Sequence, residues 1–599
     1  MAENFKTLVD VLEHSTEAYS DDPFIGTKRS GEYQWTNYRE FGEMVADFRG
    51  ALASMGVEAG DTVAVIADNR IEWAVGAYAT YSLGAKYCPM YEAQLVKDWK
   101  YIIGDSGSKV VLVADTDIYD KVTPLIDELD DLERVVYFDG PQDSEDAYQT
   151  LIEHGSKNRV DAVHPDPDDL CGFIYTSGTT GKPKGVLLSH SNLLSVINGV
   201  QDLLDIGGAD DVSLSFLPWA HSFGQVCELH ALFAFGASMG LAEDVTTIVE
   251  NLSEVRPTLL FSVPRIFNRI YDGVHKKMEA AGGIKKMLFD KAMANAKKIR
   301  EAKDAGKEPG FLTQKMNDFY DSVVFSKVRD RFGGRLKYAF SGGAALSPEV
   351  ARFIDSLNIT VYEGYGLTET SPLATLNYPG NRKIGSVGKP IAGVELSIRP
   401  VEGYPEGTGE VCIKGPNVMQ GYHNLPEKTE AVLDDDGTFR TGDLGRIDDD
   451  GFLWILGRVK EQYKLENGKY VVPGPIEEQL KLSPFINQVM IEGTNKPHNV
   501  ALIVVDEESL VEWCEKNQVP RDEMLEHHKV RQLFRDEIER VSSGIKGYEK
   551  PEQFALLDEE WTPENDMLTP TLKLKRRVVM EEYGDLIEAL YEGERGAAA

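Results

Sequence analysis

Ile174-Tyr-Thr-Ser-Gly-Thr-Thr-Gly-Lys-Pro-Lys-Gly-Val186 is the stretch around which the rest of the chain is organised. It follows the short apolar run Cys171 to Tyr175 and precedes Val186 to Leu188 and a helix expected to be capped near Ser189, so it reads as a loop between ordered elements. Gly178, Gly181 and Gly185 let backbone N–H groups approach oxyanions closely. Thr176, Ser177, Thr179 and Thr180 add hydroxyl donors, and Lys182 and Lys184 add charge. That chemistry suits phosphate. It is not a Walker A loop, because Gly178 and Gly181 enclose two residues where that motif has four, and Pro183 follows Lys182 where it has Ser or Thr. A flexible Gly/Ser/Thr linker is the plainer alternative, and Lys-Pro-Lys-Gly between two strongly apolar runs argues against it.

Outward from this loop the chain alternates short apolar runs with amphipathic segments. Strands are expected at Thr62 to Ala67, Lys109 to Ala114 and Arg134 to Phe138, with helices at Arg70 to Leu83 and Tyr119 to Leu129. After the loop come a strand at Ser213 to Leu217, a helix at Phe223 to Phe235, a strand at Thr258 to Val263 and a helix at Arg265 to Met278. This is the alternation of an α/β sheet. Glu279 to Arg331 is long, charged and helical in character, an inserted segment whose lysines read as a solvated face. Strands then end on Gly342-Gly343-Ala344, ahead of a helix start at Ser347-Pro348-Glu349, and on Glu363-Gly364-Tyr365-Gly366-Leu367-Thr368-Glu369, like two walls of a nucleotide pocket. From about Ile384 to Gly457 short strands punctuated by Gly and Pro suggest a small β-barrel-like subdomain, with Asp448 to Gly451 as a hairpin turn. Beyond Lys460 a compact α+β unit is expected. The boundary falls at Arg458 to Glu461, giving domains 1–459 and 460–599.

Composition bounds the function classes. The 599 residues allow at least two domains, and 42% hydrophobic with 27% charged residues is ordinary for a globular protein. Sixty-three Lys and Arg against 98 Asp and Glu give a net charge of -35, which disfavours nonspecific binding to nucleic acid and to anionic lipid. The five cysteines are scattered, with neither a disulfide framework nor a zinc motif. Without a signal peptide or an apolar run long enough to span a bilayer, the expected compartment is the cytoplasm. Peripheral contact with a membrane and a homodimer are both compatible with these bounds.

Thr176 to Gly185, Tyr365-Gly-Leu-Thr-Glu369, Thr441-Gly-Asp443, Gly457-Arg458 and Pro570-Thr-Leu-Lys-Leu-Lys-Arg-Arg577 resemble, in order, the core motifs of the AMP-forming adenylating superfamily. That superfamily includes acyl-CoA synthetases, luciferases and adenylation domains. Pro264-Arg-Ile-Phe267, the helical insert and Lys573-Leu-Lys-Arg576 look most like its long-chain fatty acyl-CoA synthetase branch. The resemblance implies an α/β fold with a large N-terminal domain and a smaller mobile α+β C-terminal domain. It also implies an activity: fatty acid and ATP give acyl-AMP and pyrophosphate, and a CoA thiol then displaces AMP. Alternatives are loading of a carrier-protein phosphopantetheine thiol and a noncatalytic nucleotide-binding relative.

The resemblance also implies roles. Glu369 and Thr176 would hold Mg²⁺, the loop from Thr176 to Lys184 the β- and γ-phosphates, and Thr368 the α-phosphate. Lys573 would bridge carboxylate and α-phosphate; Leu572 stands where a glycine usually precedes the catalytic lysine, which leaves Lys575 as the rival. Tyr365 would offer a face to adenine beside Gly342 to Ala344, while Asp443 and Arg458 would meet the ribose. Trp219 and His221 would lie near the acyl chain, with core or structural roles as alternatives, and the apolar segment Val226 to Leu241 would line its tunnel. Lys460 is the implied hinge, its rotation turning Glu466 to Lys469 toward CoA.

Overall fold

Thr62–Ile66 is a run of β-branched and small residues with every side chain buried, as a strand covered on both faces requires. It lies between Lys86–Met90 and Ser108–Asp115, parallel to both. The computed structural model describes residues 4–176, 182–304, 307–542, 544–569 and 571–595. The full seven-stranded order is Gly421–Tyr422, Lys184–Ser189, Leu170–Thr176, Lys86–Met90, Thr62–Ile66, Ser108–Asp115, Arg134–Asp139. Leu170–Thr176 and Lys184–Ser189 are antiparallel, with Thr176 opposite Lys184, so the phosphate-type loop is the connection of a hairpin inside this sheet. Ser189 caps the following helix, His190–Gln201, accepting from the Asn192 amide at 3.2 Å.

The second large sheet has nine strands, in the order Lys389–Pro390, Thr375–Leu376, Val361–Tyr365, Tyr338–Ser341, Leu259–Ser262, Val212–Ser215, Ser238–Leu241, Pro23–Arg29, Glu32–Asn37. Its central members are parallel and buried. Two expected helices differ from their sequence reading. The one expected over 119–129 is an α-helix at Thr116–Val122 followed by a 3₁₀ turn at Thr123–Asp127. Asp115 starts it early by accepting from the Ile118 amide, and Pro124 cannot supply the N–H that a continuing α-helix needs. The one expected over 223–235 is a π-helix at Phe223–His230 that becomes α only at Ala231–Ala234. Its wider turn brings residues five apart to one side, so that Gln225 and His230 both reach Tyr81. The 279–331 insert is helical as expected, with Gly283–Asp304 packed against Phe311–Tyr320 through Asn295 Nδ2, which donates to the Thr313 carbonyl at 3.1 Å.

The chain divides into two compact units. Residues up to 176, 183–396 and 413–439 form the one that holds both large sheets; residues 397–412 and 440 onward belong to the other. In the second, the barrel-like subdomain expected from 384 to 457 is a four-stranded sheet in the order Glu395–Pro400, Thr408–Lys414, Phe439–Ile447, Leu453–Arg458. The nearby strands Lys389–Pro390 and Gly421–Tyr422 pair into the two large sheets instead. Asp448 makes the expected turn, its Oδ1 accepting from the amides of Asp450 and Phe452 at 3.0 Å each. The C-terminal part is α+β. Ile486–Glu492, Asn499–Val505 and Pro551–Leu557 form its sheet, and Leu502, Val504, Trp561 and Val579 are core residues beside it. Among the described residues no helix is long and apolar enough to cross a membrane, and no disulfide forms.

Candidate active site

In the first unit the site is built where strand Val361–Tyr365 runs out into Gly366-Leu367 and the 3₁₀ turn Thr368–Thr370. A Cβ at Gly366 would fall 1.8 Å from the Pro372 carbonyl oxygen, so only glycine lets the chain double back here. Gly364 and Tyr365 pair with Leu376 and Thr375, which holds the Tyr365 backbone while its side chain stays partly exposed. Glu363 is buried, and its carboxylate accepts from the Gly385 amide at 3.4 Å and from the Leu346 amide. Burial pushes its pKa up to about 7. Glu363 therefore ties the segment after Gly342-Gly343-Ala344 to this strand end. Gly342 itself is buried and Gly343 and Ala344 are exposed.

Glu369 is held by a residue that the sequence reading passed over. Tyr422 Oη donates to Glu369 Oε1 at 2.8 Å, and the Lys184 ammonium lies 3.9 Å from the centroid of the Tyr422 ring. Tyr422 is placed by pairing with Val186, two residues beyond Lys184. Contacts thus run from Thr176, opposite Lys184, through the Tyr422 ring to Glu369. Hard oxygen donors of this kind fit Mg²⁺, which takes one or two protein oxygens and completes its shell with phosphate and water. Among the described residues no three His, Cys, Asp or Glu side chains gather into a metal cage. Lys182 is exposed; Ser177, Gly178, Thr179, Thr180 and Gly181 lie outside the described residues.

A second loop, Leu217 to Phe223, meets Thr368. Ser222 Oγ and Thr368 Oγ1, both buried, lie 3.3 Å apart, and a Cβ added to Gly342 would stand 3.2 Å from the Phe223 ring. His221 is half-buried, and its Nδ1 accepts from the Phe223 amide at 3.2 Å, which leaves the ring proton on Nε2 when it is neutral. Trp219 is fully buried, edge-on to Trp73 at 5.5 Å. Asn69 clamps this loop on both sides of Pro218, donating from Nδ2 to the Leu217 carbonyl and accepting at Oδ1 from the Trp219 amide, each at 2.8 Å. The same Nδ2 reaches Ser215 Oγ, which with Ser213 donates to the carboxyl group of Glu228 at 2.8 and 2.7 Å. Glu228 is fully buried, and burial pushes its pKa up to about 8. Sequence reasoning missed Asn69, Ser222 and Glu228. The one available signal was a carboxylate inside the apolar run Val226-Cys-Glu-Leu.

The second unit carries the remaining predicted residues. Asp443 and Arg458 face each other across paired strands, with Arg458 Nη1 donating to Asp443 Oδ1 at 2.7 Å. Asp443 is buried and Arg458 half-exposed. Lys460 is exposed in the turn that follows strand Leu453–Arg458, inside this same compact unit. Just before it, Gly457 has φ +146, and a Cβ there would lie 2.0 Å from Val472 Cγ1. Lys573 is exposed in a tight turn closed by Thr569, whose Oγ1 accepts from the Lys573 amide at 3.0 Å and whose amide donates to the Lys573 carbonyl at 2.8 Å. Leu572 occupies the left-handed region at φ +59, the conformation that glycine adopts without penalty. Lys575 is tied to Asp566 Oδ1 at 2.6 Å. Arg576 anchors the segment, donating to buried Glu477 at 2.6 Å and to the Ile491 carbonyl at 3.1 Å.

Lys184 of the hairpin, the Tyr422-braced carboxylate of Glu369 and the strand-end glycine turn beside partly exposed Tyr365 fall in one compact unit. The chain belongs to the AMP-binding enzyme family: residues 12–423 match that family, and residues 460–595 match the AMP-binding enzyme C-terminal domain. It is 34% identical over 605 residues to the long-chain-fatty-acid–CoA ligase FadD15 of Mycobacterium tuberculosis, covering 98% of this chain and 96% of that one. It is 31% identical to the peroxisomal long chain acyl-CoA synthetase 6 of Arabidopsis thaliana, covering 99% and 87%. Among solved structures, the adenylation domain of a carboxylate reductase from Mycobacterium chelonae matches with a TM-score of 0.76 at 24% identity, over 98% of this chain and 91% of that one. The anthranilate CoA ligase AuaEII, solved with anthranoyl-AMP, gives 0.73 at 20% identity, over 97% and 98%. These two likenesses establish the α/β fold.

Proposed function

We propose that this protein is an AMP-forming long-chain fatty acid–CoA ligase. The observation that carries the proposal is the likeness to curated long-chain ligases across nearly the whole of both chains. In the first half-reaction a carboxylate oxygen attacks the α-phosphorus of ATP, the bond to the bridging oxygen breaks, and pyrophosphate leaves with the electron pair. In the second, the CoA thiol attacks the acyl carbon, its proton passes to solvent, and AMP leaves.

The residues support these steps by binding and electrostatics. Thr176, Lys184 and the adjoining loop would hold the outer phosphates, while Thr368, with Ser222 beside it, would donate to the α-phosphate. Tyr365 would stack on adenine. Asp443, which accepts from Arg458, would accept from the ribose hydroxyls. Glu369 and Thr176 would hold Mg²⁺, which supplies charge neutralisation at the phosphates. Lys573 would offset the repulsion between two approaching anions, and the left-handed Leu572 in the usual glycine place favours it over Lys575. Because Lys573 is needed only for the first half-reaction, we place a hinge at Lys460, between domains 1–459 and 460–599, and a reducing, cytoplasmic setting suits the scattered cysteines.

The test is turnover across a chain-length series of saturated acids with free CoA, alongside ATP–pyrophosphate exchange. Each buried methylene contributes roughly 0.8 kcal/mol, so kcat/KM is expected to rise several-fold per added CH₂ up to the long-chain range. A preference for acetate or for a small aromatic acid would overturn the substrate class. Exchange without transfer to free CoA would point to a carrier-protein acceptor.

A further inference from the structure

The three most exposed large apolar side chains in the described chain are Leu312, Ile284 and Phe311, at 77%, 73% and 71%, and all three lie on the helical insert. Met287, Met316 and Phe319 on the same two helices are between 43% and 49% exposed. Leu312, Met316 and Phe319 follow a spacing of four and three residues, so they form one stripe along helix Phe311–Tyr320. That stripe is not the face by which the helix packs, since Tyr320 is its buried residue and Asn295 meets it at Thr313. Apolar side chains this exposed along one pair of helices call for an occupant.

Charge says which occupant. Residues 264–320 carry thirteen Lys and Arg against seven Asp and Glu, whereas the remainder of the chain carries fifty against ninety-one. The acidic balance that disfavours anionic lipid for the chain as a whole is therefore reversed locally: the helical segment that carries the three most exposed apolar side chains among the described residues is also a segment with an excess of Lys and Arg. Lys285, Lys291 and Lys315 are exposed on the same two helices, and Lys315 Nζ lies 4.7 Å from the Phe311 ring centroid. Apolar side chains that enter the acyl boundary, ringed by lysines whose stems lie along them and whose ammonium groups stay at headgroup level, are the makeup of an interfacial membrane contact.

We propose that the hairpin of Gly283–Asp304 and Phe311–Tyr320 docks this protein peripherally on an anionic lipid surface, with Ile284, Phe311 and Leu312 inserted and the neighbouring lysines on the headgroups. The proposal rests on the ligase reading only for its use, since a fatty acid partitions into the bilayer that the enzyme would then touch. Docking itself involves no substrate.

The experiment is co-flotation of the full-length protein, without substrate, with vesicles of phosphatidylcholine alone or of phosphatidylcholine and phosphatidylglycerol at about seven to three. Binding is expected to the anionic vesicles and to be weakened by salt without vanishing, because the apolar contact is not screened. The triple variant Ile284→Ser, Phe311→Ser, Leu312→Ser is expected to lose at least tenfold in partitioning, and Lys285→Glu with Lys315→Glu to lose preference for the anionic vesicles. Both should keep the parent's melting temperature and its ATP–pyrophosphate exchange with a soluble medium-chain acid. Failure of the parent to float, equal flotation with neutral vesicles, or unchanged partitioning of the triple variant would overturn the proposal. So would a dimer of the parent, seen by sedimentation, that the triple variant abolishes, because the face would then bind a second copy. A protein that floats as expected but activates no fatty acid would leave docking intact and sink the ligase reading alone.

Discussion

Tyr422 donates its phenolic hydrogen to Glu369 at 2.8 Å while its ring carries the ammonium of Lys184 at 3.9 Å, so a single side chain braces both the proposed metal-binding carboxylate and a lysine of the proposed phosphate loop. Tyr422→Phe keeps the ring and removes only the hydroxyl. A hydrogen bond to a charged group is worth about 1.5–3 kcal/mol, so acyl-AMP formation is expected to fall about tenfold or more, with a higher Mg²⁺ requirement. Pyrophosphate exchange measured across a Mg²⁺ titration checks this. An unchanged rate and midpoint would show that Tyr422 does not orient Glu369.

Glu228 predicts a pH dependence of stability. Its pKa in the folded protein is about 8 against an ordinary 4.5, so between these values the native state holds a proton that the unfolded chain has released. Stability from this group is present below pH 4.5 and is lost as pH rises toward 8. Glu228→Gln keeps an acceptor for the two serines and removes the ionisation. The melting temperature of the variant minus that of the parent should therefore increase from pH 5 to pH 8. Buried His230 and His190, held below their usual range by burial, titrate in both proteins and cancel from the difference. A flat difference would mean that the Glu228 carboxyl is not protonated where it sits.

Lys573 and Lys575 can be told apart. Lys573→Ala is expected to lose acyl-AMP formation by about a hundredfold, the scale of one lost transition-state electrostatic contact, while supplied acyl-AMP is still converted to thioester. Lys575 is engaged by Asp566, and its removal should cost no more than about 1 kcal/mol of stability and leave both half-reactions near the parent rate. The opposite pattern would move the catalytic assignment two residues along the chain.

The hinge assigned to Lys460 yields a kinetic prediction. Proline there fixes φ near −65°, restricting rotation in the turn after strand Leu453–Arg458. Lys460→Pro should retain much of the adenylation rate and slow thioester formation severely. Rapid-quench single turnovers that resolve acyl-AMP from acyl-CoA would decide it, and equal effects on both steps would exclude a required rotation about this residue.

Local sequence was enough for the α/β alternation, the loop between apolar runs at Thr176 to Lys184, the caps at Ser189 and Ser347 and the Asp448 turn, because each depends on residues within a few positions of one another; that this loop joins two antiparallel strands came from their pairing in the fold. Periodicity and turn chemistry record such local preferences directly. Contacts between partners far apart in the chain are set by packing instead. Tyr422 and Glu369 are 53 residues apart, Ser222 and Thr368 are 146, and Asn69 reaches across 148 and 150 residues to hold both sides of Pro218. The π-helix at Phe223–His230 belongs with these, since inward-facing Gln225, Glu228 and His230 find partners only on Tyr81, Ser213, Ser215 and Tyr78 once the sheet and its helices are packed. A local pattern names the residue types that a site requires. Close packing of distant segments decides which of them touch, because a buried polar group must find its partner wherever the fold brings one within hydrogen-bonding distance.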